Sequence, residues 1–72
     1  MEQQQEEGGK SSWPELLGKT YEEAEATIKA ERPDLNIFRV LENSPVTMDY
    51  RIERVRITVN QAGVVVLEPV TG

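Results

Sequence analysis

Arginine falls three times within six positions, at 51, 54 and 56, directly behind an uncharged stretch, Ser44-Pro-Val-Thr-Met48, and Asp49. The rest of the chain is acidic, with 13 carboxylates against 8 basic residues and a net charge of −5. On a strand, Arg54 and Arg56 project from one face, about 7 Å apart. Two guanidiniums held that close repel unless acceptors stand between them. Thr47 offers a hydroxyl and Asp49 a carboxylate, and the two flank Met48. An extended chain alternates faces, so if 47 and 49 turn toward the arginines, Met48 turns away to solvent. The chemistry available is charge-assisted hydrogen bonding, at about 1.5–3 kcal/mol per bond. The plainer possibility is that Arg54 and Arg56 pair with Glu53 or Glu68 at the surface, which is worth about 0–1 kcal/mol.

The segment being held is stiff. Pro45 fixes its own φ and drives Ser44 toward extended geometry. Val46 and Thr47 are β-branched and restricted at χ1. Mobile loop tips are usually built from Gly, Ser and Asn instead. A stiff, extended segment with one projecting apolar side chain suits the groove of a protease, which binds substrates as added strands and reads alternate side chains in pockets. Preorganisation matters, because fixing each free loop residue costs about 1–2 kcal/mol on binding. The residues thus point to a protease inhibitor.

Other classes fare worse. The chain has no histidine and no cysteine, so base and nucleophile chemistry near neutral pH would fall on Asp, Glu, Lys, Tyr or an unassisted hydroxyl. An enzyme is not expected, and neither is a cofactor. No run resembles a calcium-binding loop, and without cysteine there is no disulfide framework. The acidic balance argues against nucleic acid. No apolar run approaches the ~18 residues of a membrane span. The N-terminus lacks the basic start and apolar stretch of a signal peptide. A secreted product would therefore be a mature or truncated form, and cytosolic and vacuolar settings stay open.

Seventy-two residues make one small domain with a thin core. Residues 1–11 are Gln, Glu, Gly, Lys and Ser apart from Met1, and are expected as a disordered tail before a single domain over 12–72. Trp13 is expected inside. Thr20-Tyr-Glu-Glu23 reads as a capping box, with Tyr21, Ala24 and Ile28 as the apolar stripe of the helix behind it. Pro33 ends that helix. Leu35-Asn-Ile-Phe-Arg-Val-Leu41 reads as a strand, and a loop follows over 42–51. In residues 52–59, Val55, Ile57 and Val59 alternate with Arg54, Arg56 and Thr58, a half-buried strand. Asn60-Gln-Ala-Gly63 is a turn, and Val64-Val-Val-Leu67 a final strand. The fold class is α+β, one helix on a small sheet. Pattern alone does not settle whether the strands flanking the loop are parallel, since parallel pairs need a connection of about a dozen residues or more.

Trp13-Pro-Glu-Leu-Leu-Gly-Lys-Thr20, Glu22-Glu-Ala24, Pro33, Val46-Thr-Met-Asp-Tyr-Arg51 and Arg54-Val-Arg56 closely resemble the potato inhibitor I family of serine protease inhibitors. The resemblance runs from about Ser12 to Gly72. It implies a reactive-site bond between Met48 and Asp49, with Met48 filling the protease's primary pocket. Ser44, Pro45, Val46, Thr47, Tyr50 and Arg51 would contact the protease. Thr47 and Asp49 would bond Arg54 and Arg56, and Gly72 would lie near those arginines. It also implies a mixed sheet with parallel strands on either side of a long exposed loop, chymotrypsin-like and subtilisin-like targets, action as a monomer, and a plant seed or defence setting. Asn43 stands where members often carry Gly, and Pro45 where they usually carry a residue with an N–H. A ubiquitin-like interaction module and a non-inhibitory storage protein are the alternatives with the same helix-on-sheet plan.

Overall fold

Thr20 starts the helix as its spacing predicts. The computed structural model, which describes residues 10–72, gives α1 as Tyr21–Glu31, with the Thr20 hydroxyl accepting from Glu23 N–H at 3.2 Å and the Glu23 carboxylate accepting from Thr20 N–H at 3.3 Å. Two donors that would otherwise lack partners at the helix start are thereby satisfied. Thr20→Ala is expected to cost about 1 kcal/mol of stability, read as a lower urea midpoint with an unchanged slope. An unchanged midpoint would show that the cap is immaterial. Ala24 and Ile28 are fully buried on the inner stripe, with Tyr21 packed beside them. The helix stops at Arg32, in non-helical geometry before Pro33. Ahead of it, Pro14–Leu16 form a 3-10 turn with Pro at its first position, an element too short to show periodicity in the sequence.

The strands are β1, Asn36–Leu41; β2, Arg54–Val59; and β3, Val70–Thr71, in the order β1-β2-β3. β1 and β2 are parallel and β2 and β3 antiparallel, so the sheet is mixed. β2 is central and pairs on both sides. Its Val55, Ile57 and Val59 are fully buried with Trp13, Ile28 and Leu35 in one core.

Two expected strands shift. The strand placed at 52–59 begins only at Arg54, because residues 52 and 53 form a turn and Ile52 is exposed. The connection therefore runs over residues 42–53, the length that a parallel crossover requires. The final strand is not 64–67. Val64 and Val65 make single bridges, to Thr20 and Val59. The chain then leaves the sheet, and Pro69, which has no N–H to give a ladder, precedes the return at Val70–Thr71 against Val55 and Arg56.

Of the expected tail, residues 1–9 lie outside the described residues. Lys10 and Ser11 are described and tied to the domain. Ser11 O accepts from Thr71 N–H at 3.0 Å and Lys10 O from Arg32 at 2.8 Å. Ser12 bridges Val70, and Trp13 N–H donates to Pro69 O. The buried Trp13 ring donates its own N–H to Glu31 at 2.9 Å.

Candidate functional site

The connection between β1 and β2 enters its loop through Asn43, which sits in the left-handed region at φ 66°. Asn is among the few non-glycine residues that take this geometry without large strain. Ser44 N–H donates to Leu41 O at 3.1 Å, and Arg54 N–H to Arg51 O at 3.2 Å. Among the described residues, no other main-chain to main-chain bond holds the segment between these two. Residues 41–50 are all exposed, and Met48, at 95%, is almost entirely so.

Support comes from β2 beneath. Arg56 Nη2 donates to the Thr47 hydroxyl at 2.7 Å, and its Nη1 to Thr47 O at 3.4 Å. Arg54 Nη2 donates to Asp49 O at 2.7 Å and its Nη1 to Asp49 Oδ2 at 3.2 Å. Arg56 Nη2 also stands 4.0 Å from Asp49 Oδ1. Neither arginine can turn away, because Val55 and Ile57 between and beside them are locked in the core. The pairing expected of Thr47 and Asp49 with Arg54 and Arg56 is thus what the structure contains. The outward Met48 is present as well.

Three features go beyond the sequence reading. Main-chain oxygens at 47 and 49 are acceptors alongside the side chains, and backbone acceptors leave no residue signature. Arg51, expected only at the contact surface, donates its Nε to Asp49 Oδ2 at 2.9 Å, a bond between neighbours two apart within the loop itself. Arg54, expected outside the core, is only 8% exposed. The cause is Gly72. Arg54 Nε donates to Gly72 O at 2.7 Å, and Gly72 N–H donates back to Arg54 O at 2.8 Å. The end of β3 therefore closes over the guanidinium. Tyr50, exposed on its outer side, leans over the same glycine. A Cβ added at Gly72 would meet two ring atoms of Tyr50 at 3.3 Å, and φ there is 149°, a conformation that favours glycine. Ser44, Pro45 and Val46 precede Met48 on the exposed arm, and no partner of theirs among the described residues sets them beside the arginines.

Asp49 is held well below the usual carboxylate range. The Thr47 hydroxyl beside it contributes most, against some loss of hydration, followed by Arg51, the main chain of Asp49 itself and the charge of Arg54. A depressed folded pKa means that the carboxylate's contribution is fully present above the ordinary value of about 3.9 and is lost only as pH falls through the lower folded value. An NMR titration of the Asp49 side-chain carbon should therefore show no inflection between about pH 5 and pH 3. A midpoint near the ordinary value would mean that the carboxylate is free.

Comparison with known proteins extends through both frame and loop. A model of the "Potato inhibitor I family" matches residues 3–72. The chymotrypsin inhibitor of Lumbricus terrestris is 54% identical over 63 residues, covering 88% of this chain and 73% of that protein. Subtilisin inhibitor 1 of Phaseolus angularis is 44% identical over 63 residues, covering 88% of this chain and 68% of its own. The crystal structure of bitter gourd trypsin inhibitor superposes with a TM-score of 0.86 at 41% identity, covering 89% of this chain and 94% of that one. A match that spans helix, sheet and loop at these identities places the chain in the potato inhibitor I family.

Proposed function

We infer that this protein inhibits serine proteases by offering residues 44–51 as a rigid, substrate-like strand with Met48–Asp49 as the reactive-site bond. The observation that carries this reading is the division of labour between the two arginines. Arg56 holds Thr47, on the acyl side of the bond, and Arg54 holds Asp49, on the amine side. Both project from one strand whose alternate residues are buried. When the protease's serine attacks the Met48 carbonyl and releases the Asp49 amine, the two halves stay anchored to a common base. The amine waits beside the acyl-enzyme, and religation competes with hydrolysis. Effective molarities of ~10⁵ M or more for well-oriented groups support such a return. Water gains little, because the freed end cannot leave.

Met48 sets the target class. An unbranched apolar side chain suits the hydrophobic slot of chymotrypsin-like enzymes and the broad pocket of subtilisins. The exposed residues Ser44, Pro45, Val46, Thr47, Tyr50 and Arg51 supply the flanking contacts, and Gly72 supports the arm through Arg54 and Tyr50. One monomer presents one loop. The interaction-module and storage readings give no reason for two arginines to converge beneath an exposed bond.

Titration of chymotrypsin and of subtilisin with the protein tests this directly. Residual activity is expected to fall linearly to near zero at one equivalent, with the protein recovered largely intact. Undiminished protease activity at a large excess of protein would overturn the reading.

A further inference from the structure

Met48 is the most exposed large apolar side chain of the described residues, at 95%. It is also the one place where a mild oxidant can act on the described part of the chain. There is no cysteine, and the second methionine, Met1, lies outside the described residues. The single tryptophan, Trp13, is fully buried. With thiols absent, a thioether in open water is the group that peroxides attack first.

We propose that Met48 is a redox modification site, at which oxidation of the thioether to the sulfoxide by a peroxide or hypohalous acid switches inhibition off and reduction restores it. The proposal rests on the reading of Met48 as the residue that enters the protease's pocket. A sulfur lone pair attacks one oxygen of hydrogen peroxide and the O–O bond breaks. An S–O bond forms, and the released hydroxide takes the proton of the transferred hydroxyl and departs as water. Sulfur loses two electrons and the peroxide gains them. The product carries a strong acceptor and a new stereocentre where the apolar pocket expects neither. Burying that oxygen without a donor opposes binding.

The frame is indifferent to the change. Thr47 and Asp49 are tied down through Arg56, Arg54 and Arg51, and none of these bonds involves Met48. The oxidised protein therefore keeps its fold and its loop support while losing its fit to the pocket. The switch sits at the tip of the loop, with no hinge or cavity required.

The experiment uses the full chain, hydrogen peroxide and chymotrypsin. After treatment, peptide mapping by mass spectrometry should place one added oxygen on Met48, with circular dichroism unchanged. The inhibition constant should weaken by about 10- to 100-fold. Incubation with methionine sulfoxide reductases A and B, one for each epimer, and a dithiol reductant, which is oxidised to its disulfide as the sulfoxide oxygen leaves as water, should restore it. Met48→Leu, whatever its own starting affinity, should pass through the same treatment without change. Sulfoxide at Met48 with an unaltered inhibition constant overturns the proposal, as does an equal loss in treated Met48→Leu, which would trace the effect to another residue. Untreated Met48→Asp separates the two layers. If it loses inhibition while the sulfoxide does not, only the redox switch fails. If it inhibits as well as the wild type, the pocket reading fails and the switch fails with it.

Discussion

Replacing Arg54 and Arg56 together with alanine is expected to turn the inhibitor into a substrate. The two guanidiniums hold Thr47 and Asp49 on opposite sides of the proposed reactive-site bond. Without them, only the Arg51–Asp49 bond and the bonds at Ser44 and Arg54 N–H remain among those described for the loop. Two or three loop residues then regain freedom at about 1–2 kcal/mol each. At about 2–6 kcal/mol in all, that corresponds to a loss of roughly 30- to 20,000-fold in affinity. More telling is the fate of the bond. Once cut, the ends drift apart before religation, so steady cleavage between Met48 and Asp49 should appear by mass spectrometry over hours. Asp49→Ala should show a milder form, because Arg54 still reaches the main-chain oxygen of residue 49.

The single variants should be unequal. Arg54 is buried and also clasps Gly72, whereas the Arg56 side chain is partly exposed and bonds only Thr47 at hydrogen-bond distance. Arg54→Ala should therefore lower global stability by about 2–3 kcal/mol, through lost bonds to the main chain, and Arg56→Ala by less. Domains with about 5–15 kcal/mol in hand survive such a loss, so a folded, cleavable double variant is the expected product. A double variant that stays folded, uncut and fully inhibitory under excess protease would reduce the arginines to surface ornament.

That prediction was accessible from the sequence because it depends on period-two geometry alone. Arg54 and Arg56 share a face, Val55, Ile57 and Val59 occupy the other, and Thr47 and Asp49 flank Met48. Side-chain alternation carries all of this. What it could not carry was anything decided by backbone or by distant segments. Strand direction has no side-chain signature, and the parallel pairing of Asn36–Leu41 with Arg54–Val59 became sterically reasonable only once residues 52 and 53 proved to belong to the connection. Val64-Val-Val-Leu67 has strand composition, yet the Asn60 side chain accepts from Ala62 and Val64 N–H and shapes a tight turn whose far arm meets β2 only briefly. The burial of Arg54 is a third case. It follows from Gly72, eighteen residues away in sequence, and no local pattern connects the two.

Target choice should follow one side chain, and Met48→Lys tests this. The wild-type protein is expected to inhibit chymotrypsin or subtilisin at least about a hundredfold better than trypsin. Methionine fills an apolar slot but offers no cation to the carboxylate at the base of the trypsin pocket. Lysine reverses both terms. Its ammonium would be stranded in the chymotrypsin slot and paired in the trypsin pocket, and a desolvated charge pair of this kind is worth several kcal/mol in either direction. Trypsin inhibition should therefore tighten by about 100- to 1,000-fold, while chymotrypsin inhibition weakens by a comparable factor. The frame should not register the change. Met48 is almost wholly exposed, and surface substitutions of this kind stay within about 0.5 kcal/mol in stability. The same arginines, the same Thr47 and Asp49 anchors and the same strand would present the new side chain in the old position. Inhibition constants against the three enzymes, measured for both proteins beside their urea midpoints, decide the matter. Unchanged trypsin inhibition in a fully folded Met48→Lys protein would show that another residue enters the pocket, and the Met48–Asp49 assignment would have to be abandoned.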